Sequence, residues 1–112
     1  MESVLTKQAT ISELWNQRPL IISGPCSAET EAQVLESATA LAATGAVHLF
    51  RAGIWKPRTR PGSFEGVGEP GLAWLQKAKD LTGLPVAIEV ASSNQVELAL
   101  RAGIDEIGRA HV

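Results

Sequence analysis

An alternation of short apolar runs with stretches of helical period constrains this chain more than any other feature. Leu20-Ile21-Ile22-Ser23 reads as a buried strand that ends at Gly24-Pro25. Thr30-Glu31-Ala32-Gln33 has capping-box spacing, in which the first and fourth residues satisfy each other's backbone N–H groups. Val34, Leu35, Ala38, Leu41 and Ala42 then form one helical stripe, which Gly45 closes. Val47-His48-Leu49-Phe50 reads as the second strand. Pro70 suits the first turn of a helix carrying Leu72, Leu75, Ala78 and Leu81, with Gly83 as its stop. Pro85 to Val90 is the third strand. Ser93 or Asn94 caps a helix with Val96, Leu98, Ala99 and Leu100 that ends at Gly103, and Ile104 to Ile107 begin a fourth strand.

Strict strand–helix alternation requires right-handed crossovers and a parallel sheet, so the expected fold class is α/β, built of parallel (βα) units. A small doubly wound sheet and a partial TIM barrel, about its first half, both satisfy the pattern. Side-chain alternation favours the barrel. Val86, Ile88 and Val90 share one face of the third strand, and Ala87 and Glu89 share the other. Leu20, Ile22, Gly24 and Cys26 share a face if the first strand stays extended, as do Val47, Leu49 and Arg51 on the second. Cys26, Arg51 and Glu89 then fall near strand C-terminal ends and point into one interior, the rim where TIM barrels place their chemistry. At 112 residues the chain is too short for eight such units. Residues 1–19, with Ile11, Leu14 and Trp15, read as an N-terminal extension that covers the first strand. Residues 20–108 read as the first half of the barrel.

Composition removes several classes of function. One cysteine excludes a disulfide framework within the chain, and no CxxC pair suggests a zinc knuckle. The apolar runs are too short to cross a bilayer, and Met1-Glu2-Ser3 begins no secretory leader. The expectation is a soluble, cytoplasmic protein with no membrane partner. A net charge of −2 exerts no general pull on nucleic acid, and no aromatic residues interleave with cations as a base-stacking platform requires.

The cations are unevenly spread. Between Pro19 and Gln76 the only four are Arg51, Lys56, Arg58 and Arg60, and no acid interrupts them. Residues 57–71 then hold four of the ten glycines and three of the six prolines. A basic cluster leading into such a loop fits an anion site, because guanidinium forks match phosphate and carboxylate oxygens. A solvated basic loop fits the same charges. Cys26 likewise has two readings, a small buried hydrophobe or a thiolate donor to a divalent metal. His48 faces opposite to Arg51 by strand alternation, which suits a packed or hydrogen-bonded imidazole. Trp55 and Trp74 read as packing residues.

The run Arg51-Ala52-Gly53-Ile54-Trp55-Lys56-Pro57-Arg58-Thr59, with Ile21 to Glu29 before it and Val86 to Val90 after it, resembles the 3-deoxy-D-arabino-heptulosonate 7-phosphate (DAHP) synthase family. The likeness continues through Arg60 to Gly66 and the Ala102-Gly103-Ile104-Asp105 turn, spanning about residues 14–108. It implies a transferase of the shikimate pathway, hence of chorismate and aromatic amino acid biosynthesis. Phosphoenolpyruvate, erythrose 4-phosphate and water would give DAHP and phosphate. It implies that Cys26 is one ligand of a divalent metal such as manganese, and that Arg51 and Lys56 hold phosphoenolpyruvate. Lys56, Pro57, Arg58 and Thr59 would line the erythrose 4-phosphate site, with Lys56 and Glu89 as the catalytic positions. Glu89 would orient water or substrate, against the alternative of a structural carboxylate paired with Arg51 or Lys56.

Two departures accompany the resemblance. The remaining metal ligands, His, Glu and Asp in this family, belong to later strands that this sequence lacks. The family's fourth strand runs toward Ile-Gly-Ala-Arg, whereas this chain reads Ile107-Gly108-Arg109-Ala110-His111-Val112. Arg109 therefore carries no assigned role, and 109–112 reads as a divergent tail, either a truncation junction or non-native residues. The expectation is an inactive first half of the synthase barrel that self-associates through exposed sheet edges or forms a homo-oligomer. The alternatives are the related 3-deoxy-D-manno-octulosonate 8-phosphate synthase, disfavoured by Pro57 and Thr59, and a noncatalytic phosphate-binding module.

Overall fold

In a computed structural model that describes residues 20–56 and 65–109, the alternation becomes seven elements. They are β1 (Ile22–Ser23), α1 (Glu31–Thr44), β2 (Leu49–Arg51), α2 (Pro70–Thr82), β3 (Val86–Val90), α3 (Ser93–Arg101) and β4 (Glu106–Arg109). The strands make one sheet in the order β1-β2-β3-β4, and every neighbouring pair is parallel. Successive right-handed crossovers that always step the same way give this order. A doubly wound sheet reverses direction at a switch point. None occurs among the described strands, so the sheet winds as a barrel does.

The helix boundaries follow from side-chain chemistry. Thr30 Oγ1 accepts from the Gln33 N–H at 3.0 Å, and Gln33 Oε1 accepts from the Thr30 N–H at 3.4 Å, which completes the expected capping box. Gln33 also takes the Glu29 N–H at 2.7 Å and gives its own Nε2–H to Ser27 O at 3.1 Å, so the loop after β1 is tied to the start of α1. Gly45 ends α1 in the left-handed region at φ 70°, and Gly83 ends α2 at φ 77°. Pro70 opens α2 as expected.

Several boundaries differ from the sequence reading. Ser92, not Ser93 or Asn94, caps α3: it is extended, and its Oγ accepts from the Gln95 N–H at 3.2 Å. β1 narrows to two residues, β2 shifts to include Arg51, and β4 begins at Glu106. Ile104 and Asp105 belong to the turn instead. The Ile104 N–H bonds Ala99 O at 3.1 Å, and the Asp105 N–H bonds Val86 O at 3.0 Å. Asp105 then fastens β3, β4 and α2 together, its two carboxylate oxygens accepting from the Val86 N–H at 2.9 Å and Lys79 Nζ at 2.8 Å.

The two faces of the sheet differ as the alternation requires. Phe50, Val86, Ile88 and Val90 pack with Val34, Ala38, Leu72, Leu75, Ala78 and Ala99 into the main core under the helices. Leu49 and Ala87 lie on the opposite face with Leu20 beside them. Ile22 on this second face is 44% exposed, so this side of the sheet is open at β1 among the described residues. No described helix is long and apolar enough to cross a membrane.

Candidate active site

Two loops leave the C-terminal ends of β1 and β2 side by side. Gly53 N–H donates to Pro25 O at 3.3 Å, and Ala28 N–H donates to Gly53 O at 2.8 Å, so backbone hydrogen bonds lace the loops together. The lacing brings side chains thirty positions apart into contact. Lys56 Nζ stands 4.0 Å from Cys26 Sγ. The thiol is exposed and free, and the lysine is partly buried. The Lys56 backbone is held in turn by its N–H bond to Glu65 O at 2.8 Å.

Arg51 ends β2 in register with Ala87 of β3. Its Nε–H reaches Gly24 O at 3.4 Å, a long contact that leans the guanidinium over the end of β1. Between these strand ends lies an open cavity of about 490 Å³, lined in part by Ile22, Gly24, Arg51, Glu89, Glu106 and Gly108. Arg51 and Glu89 therefore share one cavity, as side-chain alternation requires. Glu89 is exposed and, among the described residues, forms no salt bridge with Arg51 or Lys56.

Glu106 is the cavity residue that sequence reasoning passed over. Its register opposite Ala87 places it on the same face as Glu89, which stands opposite Gly108. Starting β4 at Glu106 instead of Ile104 would have found it, because alternation then assigns Glu106 and Gly108 to the inner face. His48 is hydrogen-bonded, as expected: its Nδ1 accepts from the Ile21 N–H at 2.9 Å. Trp55 and Trp74 pack at the margin of the main core. Pro57, Arg58 and Thr59 lie outside the described residues.

This arrangement offers one cation, Arg51, and two carboxylates, Glu89 and Glu106, around the open cavity, while Lys56 and Cys26 meet outside its lining. It does not offer a complete metal centre. A divalent-ion site generally needs several donors in a defined geometry. Cys26 is one soft donor, and no group of three or more His, Cys, Asp or Glu residues suited to a metal occurs among the described residues.

A sequence model of the DAHP synthetase I family matches residues 2–108. The chain belongs to the DAHP synthetase I family. It is 42% identical over 89 residues to phospho-2-dehydro-3-deoxyheptonate aldolase of Thermotoga maritima, a match covering 79% of this chain and 26% of that protein. It is 38% identical over 104 residues to 2-dehydro-3-deoxyphosphooctonate aldolase of Geobacter sulfurreducens, covering 85% of this chain and 38% of that protein. The crystal structure of the Thermotoga maritima aldolase, a DAHP synthase, superposes with a TM-score of 0.72 at 36% identity over 81% of this chain and 26% of the other. The parallel sheet with its alternating helices is thus a part of the DAHP synthase barrel fold, and this family member spans 26% to 38% of the length of these two curated relatives.

Proposed function

We propose that this chain supplies one wall of the active site of a DAHP synthase, which condenses phosphoenolpyruvate with erythrose 4-phosphate and water and releases phosphate. The observation that carries the reading is the approach of Lys56 Nζ to Cys26 Sγ at 4.0 Å, beside the cavity that Arg51 and Glu89 share. Phosphoenolpyruvate presents a phosphate and a carboxylate, and the second substrate brings another phosphate. Such anions repel one another unless fixed cations neutralise them, and a guanidinium at a strand end and an ammonium on a loop bonded to its neighbour do so at little cost in reorganisation. Arg51 and Lys56 fill these roles, and the family resemblance assigns Pro57, Arg58 and Thr59 to the aldose phosphate.

Carbon–carbon bond formation joins C3 of phosphoenolpyruvate to the aldehyde carbon, water adds at C2, and phosphate leaves. Glu89 is an acceptor for the water or a substrate hydroxyl. Holding both substrates in line is the larger contribution of this wall, because positioning turns a bimolecular encounter into an intramolecular step. A divalent ion such as manganese, to which Cys26 brings one donor, needs further donors from outside the described residues. By the same reading the 112 residues alone are inactive and associate through β1 and β4, the strands at the two edges of the sheet.

The test follows phosphoenolpyruvate consumption by the complete barrel carrying this segment. Consumption that requires the four-carbon aldose phosphate is expected, with none from the 112-residue chain. Preference for a five-carbon aldose phosphate would assign the chain to the octulosonate branch, and binding without consumption would make it a phosphate-binding module.

A further inference from the structure

We propose that Gly53 is a positioning residue, whose missing side chain keeps open the space through which the Lys56 ammonium reaches the Cys26 thiol. Backbone freedom is not the reason for glycine here, because Gly53 is not among the positive-φ residues. Space is. A Cβ at position 53 would lie 2.1 Å from Cys26 O, 2.6 Å from Lys56 Nζ and 2.8 Å from Lys56 Cε. The first distance shows how closely the two loops are laid together. The other two show that the end of the lysine side chain occupies the volume a methyl group would take. Nor can the residue swing aside freely, since its N–H and its carbonyl both bond the Cys26 loop, at Pro25 O and the Ala28 N–H. Any side chain at this position therefore displaces the ammonium from the sulfur.

The inference rests on the reading of Cys26 and Lys56 as neighbours in one site, and its test uses no substrate, so its failure is separate from a failure of the turnover assay. The folded full chain is treated with succinimidyl iodoacetate, which leaves a CH2–C(=O) unit between sulfur and nitrogen, and the Cys26–Lys56 linked peptide is measured by mass spectrometry. The wild type is expected to form the link, and Gly53→Ala to lower its yield by about tenfold, since a packed side chain leaves no room for the lysine to return. An unchanged yield overturns the proposal. Urea unfolding of Lys56→Ala with and without Gly53→Ala covers a single variant that does not fold. Removing the lysine side chain is expected to lessen the cost of Gly53→Ala, because the overlap with the lysine tip is then gone and the approach to Cys26 O remains. Equal loss in both backgrounds would mean that the space serves the backbone alone, and would overturn the proposal.

Discussion

Alanine in place of Lys56 lowers kcat of the complete barrel by about 10²–10³-fold, the usual effect of removing one fixed donor from a site of developing charge. Thermal unfolding stays close to that of the wild type, because the only described side-chain partner of the ammonium is the Cys26 sulfur at 4.0 Å. That separation of activity from stability is the signature of a cation held for a substrate. Lys56→Arg keeps the charge but recovers only part of the rate: a planar guanidinium is bulkier than an ammonium, and the space beside Gly53 is already filled by the lysine tip. Steady-state kinetics at saturating phosphoenolpyruvate check both variants. Rates near those of the wild type for Lys56→Ala would remove the residue from the site.

Gly24→Ala acts through the fold and is expected to cost about 3 kcal/mol or more, since a side chain forced against fixed backbone cannot be accommodated by a change of rotamer. A Cβ at position 24 would stand 1.8 Å from Arg51 O and 2.8 Å from the Arg51 carbonyl carbon, both in the neighbouring strand. Its φ of +154° adds strain for any L side chain. Gly45→Ala is the control. Position 45 is also left-handed but has nothing within 4 Å of a Cβ, so only the conformational cost of about 1 kcal/mol remains. Urea unfolding of the two variants separates steric from conformational cost. Equal losses would contradict the close approach of β1 to β2.

Much of this architecture was legible because it is local. The Thr30–Gln33 box, Pro70 at a first turn and Gly45 and Gly83 at helix ends depend on residues a few positions apart, and each stands where the pattern predicts. The alternation Val86, Ile88, Val90 against Ala87, Glu89 separates the helix side of the sheet from the cavity side. What was missed depends on contacts along the chain that no period reveals. Ser92, Ser93 and Asn94 are all competent caps, and the helix begins where the end of β3 leaves Ser92 extended. β4 starts late because Asp105 is drawn into bonds with Val86 and Lys79, and with that shift Glu106 comes to line the cavity. The family resemblance implies roles in one site for both Cys26 and Lys56, but not the contact between them. The physical cause of that contact, two loops laced through a residue without a side chain, is visible only in three dimensions.

Diffraction from crystals of the complete barrel soaked with phosphoenolpyruvate asks most directly whether these strand tips are a phosphoenolpyruvate site. The account predicts the ligand at the C-terminal end of the sheet, its anionic oxygens within hydrogen-bonding distance of the Arg51 guanidinium and the Lys56 ammonium. Phosphoenolpyruvate bound on another face, with Arg51 still resting on the Gly24 carbonyl and Lys56 on the Cys26 sulfur, would contradict it.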